Sequence, residues 1–522
     1  MRWLLAVVAV GVIAGGVAIA ALGAGHDASA PTRDPAPAVV HVIQPGPGTV
    51  TVALPGGDGR PVPDGFLGLS MEFQAVRAYT GSNARAVNPV LEQLIRNLSP
   101  GQAPRLRIGG DSTDVAYPEG MPPPYIGYGL TPSWMATTAA LAHDLGARMT
   151  IGVNLAADEP ALAAAQARAY LRAMGRRTLA GLEIGNEPNV YGELTRYRTP
   201  SGRLYPARPP GFGYRAFRSE FRAIAAQLPS GVSLAGPGLA VGPTPGPGSW
   251  VQTLPDFLAA DPRVRTMTLH RYPLRNCFVP PSDPQYPTLS HLLAPYATSG
   301  LASSLGRWIA IAHHAHRLLR VDELNSVACR GRNGVSDTFA TSLWAVDALF
   351  SLLDVGVDGV NLHTLPSSPY ELFQFSRAQG RWRAWVRPLY YGLQLFAAAA
   401  PRGSQLLTLP PVVHDASLSL WATRGTDRRT RVVLINKSRF RGETISLRPP
   451  AGVGGEATIE RLQAPHADAT ADVSLGGGSY GRETYTGRLP APELQPLVAD
   501  SADRYTLRLA PASAALVTFP AG

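Results

Sequence analysis

Eight short apolar runs, each separated from the next by enough chain for a helix, dominate the middle of this sequence. They fall at 66–73, 105–109, 148–154, 181–186, 233–237, 266–272, 318–323 and 358–363. Continuous apolar runs of this kind suit parallel strands covered on both faces. Between them, 88–97, 132–145, 159–174, 214–227, 303–319 and 337–353 carry apolar residues at three- and four-residue spacing, which predicts helices. Asp337 reads as the start residue of the last of these. Eight strands alternating with helices predict an α/β fold, a (β/α)8 TIM barrel over residues 64–400. The connection after the fifth run is the least regular, because 241–248 is mostly Gly and Pro.

From about residue 403 the pattern changes. Short strands at 417–422, 431–435, 443–447, 505–509 and 514–519 are separated by turn signals, and they predict a C-terminal antiparallel β-sandwich domain over 403–522. The Gly/Ser/Pro-rich stretch 474–490 reads as a long loop within it. Residues 49–55 hold an alternating strand that precedes the barrel and is expected to join the β-domain. A chain of 522 residues with 45% hydrophobic content can fill both cores.

Residues 1–30 read as a targeting segment. Arg2 is followed by an apolar run over residues 3–23 and then by Ala28-Ser29-Ala30, a small-residue pattern that fits signal-peptidase cleavage. The run is on the order of 20 residues, long enough to span a bilayer. A cleaved signal peptide and an N-terminal membrane anchor therefore both stay open. Either one predicts a protein that is secreted or held on the outer side of the cytoplasmic membrane. Residues 31–48 are Pro/Ala-rich and read as a linker. In an exported chain the two cysteines, Cys277 and Cys329, permit one disulfide. Each follows a predicted barrel strand on the same side, so the pair is expected to tie those two loops together; two unpaired thiols are the alternative.

The formal net charge of +10 is carried almost wholly by arginine, since Lys437 is the only lysine. The arginines are scattered, with no basic run and no zinc-finger or RNP pattern, which argues against a nucleic-acid partner. The chain has no Gly-x-x-x-x-Gly-Lys loop, no dinucleotide fingerprint and no Gly-x-Ser-x-Gly elbow. His313, His314 and His316 lack the spacing of a zinc hydrolase and read as a helix surface. No metal and no cofactor are implied.

The chemistry points to the strand ends. In Gly181-Leu-Glu-Ile-Gly-Asn-Glu-Pro188 an apolar strand runs into a polar turn at Asn186-Glu187-Pro188. A carboxyl at the end of a dry strand, open on one side to substrate, suits a general acid. Glu323 ends the seventh run in matching context. In such barrels the C-terminal strand ends build the active site, and two carboxyls about 5–5.5 Å apart there can cleave a glycosidic bond with retention. Glu187 is expected to be the acid/base and Glu323 the nucleophile. Asn186 is expected on the sugar 2-hydroxyl, Tyr272 and Arg107 against Glu323, and His270 in the site wall. Glu72 and Asn154, at the ends of strands one and three, are expected on sugar hydroxyls. Strand alternation turns Asp322 away from the site, and Glu183 is a weaker catalytic candidate two residues inside its strand.

These motifs resemble glycoside hydrolase family 79, the group of β-glucuronidases and heparanase-like enzymes. The resemblance rests on Leu106-Arg-Ile-Gly-Gly-Asp-Ser-Thr113, Leu182-Glu-Ile-Gly-Asn-Glu-Pro188, Asp322-Glu-Leu-Asn-Ser-Val327 and Val357-Asp-Gly-Val-Asn-Leu-His363. It implies hydrolysis of β-linked glucuronides, with a glucuronic-acid-containing glycoside or polysaccharide as the partner molecule. It also implies that His363 and Tyr370 help to hold the uronate carboxylate. One departure stands out: where the family carries an aromatic residue shortly after the nucleophile, this chain has Ala328-Cys329. The alternatives are another retaining barrel glycosidase, such as an arabinofuranosidase or xylosidase, and a non-catalytic carbohydrate-binding surface protein.

Overall fold

The computed structural model describes residues 43–46, 48–244, 249–410, 415–450 and 452–521. The segment 1–30, with its apolar run at 3–23, and most of the 31–48 linker lie outside the described residues. Eight parallel strands close into a barrel: β1 Leu67–Glu72, β2 Arg105–Gly109, β3 Arg148–Val153, β4 Leu179–Ile184, β5 Leu234–Ala240, β6 Val264–His270, β7 Leu318–Leu324 and β8 Gly359–Thr364. Each strand pairs with its neighbours in chain order, and β8 returns to β1 with Val360 opposite Leu67. The runs are apolar because the strands are covered by helices outside and side chains inside; β1 is buried at all six positions.

The regular ladder is broken at several places in the barrel, and the break in β7 shapes the site. On one edge of β7, Leu269 faces Val321 while the next residue, His270, faces Glu323. On the other edge Val321 faces Val360 and Leu324 faces Leu362, so two residues of β7 oppose one of β8. This is a β-bulge, which re-aims side chains. It turns both Asp322 and Glu323 into the barrel, which corrects the expectation that Asp322 points away.

Several helix boundaries also differ. The segment predicted as one helix over 303–319 is two, Ser299–Ser303 and Gly306–His314, and β7 has begun by Leu318. The helix after β7 is Ala340–Val355. Asp337 does not start it: its Oδ1 accepts from the Gly334 amide and closes the preceding turn. The amides of Phe339 and Ala340 donate instead to the carbonyls of Ala469 and Ala467, so the β-domain caps this helix. A hairpin of Phe373–Ala378 and Arg381–Val386 stands between β8 and the last barrel helix, Pro388–Ala399.

The β-domain takes strands from both sides of the barrel in sequence. Val50–Ala53 runs parallel to Glu443–Arg448, which pairs with Tyr505–Leu509 to make a small sheet. Arg60–Pro61 edges the large sheet beside Gln405–Leu407. The two sheets bury Val52, Val432, Ile445, Leu507 and Val517 between them. The only lysine lies under this domain. Lys437 Nζ is 2.6 Å from Asp347 Oδ2 on the helix Ala340–Val355, where Ser419 Oγ and Trp421 Nε1 also donate to Asp347.

Candidate active site

The C-terminal ends of the barrel strands surround a cleft of about 550 Å³, bordered by Glu72, Glu187, Tyr272, Glu323, His363 and Tyr370 among others. One carboxylate oxygen of Glu187, one of Glu323 and a nitrogen of His270 lie within 4.8 Å of one another.

Glu187 leaves the end of β4 in a left-handed conformation (φ 53°, ψ 51°), a strained state for this residue type. Its amide donates to Gly238 O at 2.8 Å, which fixes the turn against the end of β5. The side chain is 18% exposed, and its Oε1 accepts from His270 Nδ1 at 3.1 Å.

Glu323 is more enclosed. Tyr272 donates its hydroxyl to Oε1 at 2.9 Å, and Arg107 Nη1 donates to Oε2 at 2.8 Å. Burial pushes the Glu323 carboxyl up, but the nearby His363, His270 and Arg107 outweigh it and hold the group well below the usual carboxylate range. It is an anion at any ordinary pH, the state a nucleophile needs.

Arg107 is fully buried and does not reach the cleft surface. Its Nε meets Glu183 Oε2 at 2.7 Å and Asp322 Oδ2 at 3.3 Å, and its Nη2 donates to Asn186 Oδ1 at 3.0 Å. Three carboxyls thus share one guanidinium. Glu183 Oε1 and both Asp322 oxygens have no donor among the described residues when both acids are ionised. Burial and the Glu183 charge raise Asp322 well above its ordinary value, whereas Arg107 overcomes burial to lower Glu183. A protonated Asp322 beside an ionised Glu183 satisfies this cluster. The groups Glu183, His270 and Asp322 have metal-ligand spacing, but Arg107 already occupies the position between the two acids and approaches His270 Nε2 at 3.1 Å. The donor set is fitted to a guanidinium.

His270 is almost fully buried and works through Glu187 rather than at the surface. Burial opposes its charge and Glu323 favours it; Arg107 opposes it again, and the Glu187 bond and Asp322 add to the favourable side. The balance pushes it up to about 9. Nδ1–H donates to Glu187 Oε1 at 3.1 Å.

Glu72 sits in a nest made by the turn after β2. Its Oε1 accepts from the Asp111 amide at 3.1 Å, and its Oε2 from the Ser112 amide at 2.8 Å and from the Ser112 hydroxyl. Gly110 (φ 77°) makes the nest possible, because a Cβ there would lie 2.3 Å from Glu72 Oε1. Burial raises Glu72 above its ordinary value. It still borders the cleft, as do Tyr272, His363 and Tyr370. His363 Nδ1 is 3.0 Å from Ser70 Oγ, and its Nε2 is 3.8 Å from Glu72 Oε1. Asn186 is 1% exposed, with Nδ2 in a long 3.4 Å bond to Asp111 Oδ1.

Asn154 corrects the sequence expectation. It is fully buried; its Nδ2 donates to Asp114 O and Ala116 O, and its Oδ1 accepts from the Ala157 amide. It ties loops together and has no edge left for a sugar. Cys277 and Cys329 are joined as a disulfide, Cα atoms 6.1 Å apart, between the loops after β6 and β7. Sequence reasoning missed Ser70, Ser112 and the inward Asp322. Ser70 was within reach, because it lies two residues before Glu72 and so shares its face of β1.

No family model matches the chain. It is similar to a beta-glucuronidase of Neurospora crassa, 23% identical over 506 residues that cover 82% of this chain and 87% of that protein. Among solved structures it is similar to a 4-O-alpha-L-rhamnosyl-beta-D-glucuronidase from Fusarium oxysporum, with a TM-score of 0.67, 19% identity, and coverage of 90% of this chain and 100% of that one. A GH51 arabinofuranosidase from Xanthomonas axonopodis pv. citri superimposes with a TM-score of 0.63 at 14% identity, over 90% and 99% of the two chains.

Proposed function

We propose that this chain is a retaining glycoside hydrolase that cleaves β-linked glucuronides by double displacement, with Glu323 as nucleophile and Glu187 as acid/base. The observation that carries the reading is that the two carboxyls meet at one cleft, with an oxygen of each within 4.8 Å of the other. A retaining enzyme needs about 5–5.5 Å, whereas an inverting one leaves about 6.5–9.5 Å for water. The two groups also differ in the required sense. Glu323, under Arg107 and Tyr272, is kept ionised to attack the anomeric carbon. Glu187, more exposed and bonded to His270, protonates the departing oxygen and then takes a proton from water.

The glucuronide preference is supported by the named relatives and by the resemblance to glycoside hydrolase family 79, in which His363 and Tyr370 would border the uronate. Asn186, whose Nδ2 has only a long bond, is assigned to the 2-hydroxyl. Export, by cleaved signal or by anchor, rests on residues 1–30 and completes the proposal: an extracytoplasmic enzyme acting on glucuronic-acid-containing glycosides.

A panel of aryl glycosides tests the substrate. Turnover of arabinofuranoside or xyloside without glucuronide would overturn the uronate assignment. Glu187→Ala tests the roles: it should lose roughly 10²- to 10⁴-fold on poor leaving groups, less on good ones, and azide should restore turnover with net retention. Azide rescue of Glu323→Ala with retention instead would exchange the two residues.

A further inference from the structure

The turn that follows β7 is unusual. Cys329 (φ 60°), Arg330 (φ 72°) and Gly331 (φ 77°) are three successive residues in the left-handed region, which residues other than Gly adopt rarely. Three restraints hold it. The disulfide fixes Cys329 to Cys277. The short parallel pair Leu274–Arg275 with Val327–Ala328 fixes the chain just before it. Gly331 packs on Tyr370 so closely that a Cβ would lie 2.9 Å from Tyr370 Cδ1. Such restraints fix the backbone from which one side chain, Arg330, projects.

Arg330 is exposed and borders the cleft beside Glu323, His363 and Tyr370. Its charge is felt at the Tyr370 hydroxyl, where it favours the ionised form. It has no hydrogen bond or ion pair among the described residues. The histidine on the cleft wall, His363, is in a different position. Its Nε2 is 3.8 Å from Glu72 and its Nδ1 is 3.9 Å from Glu323 and bonded to Ser70. An anionic substituent brought to His363 would meet two carboxylates at the same ring. At Arg330 it would meet a guanidinium whose charge no described neighbour compensates.

We propose that Arg330, with the Tyr370 hydroxyl beside it, receives the carboxylate of the uronic acid unit and sets the preference for a glucuronide over the corresponding neutral glucoside. The inference deepens the glycosidase reading and rests on it. It also gives the departure at Ala328-Cys329 a function: where an aromatic grip is missing, the disulfide-held turn supplies a cation. A guanidinium can meet a carboxylate through two parallel N–H bonds, so the recognition is geometric as well as electrostatic.

The test uses the full chain and two substrates that differ only at C6, 4-nitrophenyl β-glucuronide and 4-nitrophenyl β-glucoside. Arg330→Gln should lower the glucuronide-to-glucoside ratio of kcat/KM by roughly 10- to 100-fold, the worth of a charge-assisted pair. The change should be carried by KM, and Arg330→Lys should keep part of the ratio. Added salt should weaken glucuronide turnover in the parent protein more than in Arg330→Gln. An unchanged ratio in Arg330→Gln overturns the proposal, even if both rates fall. A parent protein that cleaves only neutral glycosides overturns the uronate reading itself, and this inference with it.

Discussion

Replacing Tyr272 by Phe separates the two chemical steps. The phenol donates to Glu323 Oε1 at 2.9 Å, while Arg107 holds Oε2 at 2.8 Å. The ring would stay and only the donor would go. A hydrogen bond to a charged acceptor is worth about 1.5–3 kcal/mol, roughly 10- to 150-fold in rate if all of it is felt in one transition state. Glu323 gives up its charge as the glycosyl-enzyme forms and recovers it as that intermediate breaks. The Tyr272 bond therefore weakens during the first step and strengthens during the second. Tyr272→Phe should spare glycosylation and slow deglycosylation by most of that factor. With a good leaving group such as 2,4-dinitrophenol, stopped-flow should then show a burst of about one equivalent of phenol per enzyme followed by a slow steady state, with a reduced KM. The acid limb of kcat/KM should also move to higher pH, because a donor to the ionised form has been lost. A uniform loss on substrates of every leaving group, with no burst, would refute the assignment of Glu323 as the nucleophile that Tyr272 supports.

Two further expectations concern the scaffold. Lys437→Met leaves Asp347 buried with only Ser419 and Trp421 as donors, and should cost about 3–5 kcal/mol in denaturant unfolding; adding Asp347→Leu should recover most of that, and failure to recover it would show that packing, not the unpaired charge, is at stake. Asp114, whose Oδ2 accepts from Tyr191 at 2.7 Å, is pushed up to about 7 by burial. Between its unfolded value near about 4 and that point, the folded chain holds a proton that the unfolded chain has shed. Its contribution to stability is therefore full below that window and is lost as pH rises through it. Asp114→Asn should flatten this part of the stability–pH curve, and an unchanged slope would remove Asp114 as its source.

The barrel was legible because its strands are buried on both faces, so that eight apolar runs stand out whatever surrounds them. Glu187 and Glu323 were legible for the same reason, as polar residues where those runs stop. What stayed hidden depends on contacts between distant segments. No local signal announces the bulge that turns Asp322 inward, since it is a mismatch of register between β6, β7 and β8. Asn154 sits at a strand end like a ligand, yet a neighbouring loop closes over it. Asp337 has the composition of a helix start, but Ala467 and Ala469, far along the chain, supply the carbonyls that cap that helix. Local composition proposes such roles, and packing decides among them.

The bulge explains how so much charge is tolerated beneath one cleft. Arg107 alone cannot neutralise Glu183, Asp322 and Glu323, and an uncompensated buried carboxylate is costly. The three acids are not equivalent. Glu183 has the shortest contact with Arg107 Nε, and Glu323 has Arg107 Nη1 and the Tyr272 hydroxyl, but neither Asp322 oxygen has a donor of its own among the described residues. The proton therefore settles on Asp322, which can then donate to Glu183, and two anions remain around Arg107 with His270 beside them. A regular β7 would have turned Asp322 out of the barrel, removing the neutral acid that satisfies Glu183 Oε1. Arg107 would then be drawn further toward Glu183 and away from Glu323. On this argument the extra residue in β7 keeps one arm of the guanidinium on the nucleophile, where it joins His363 and His270 in holding Glu323 ionised.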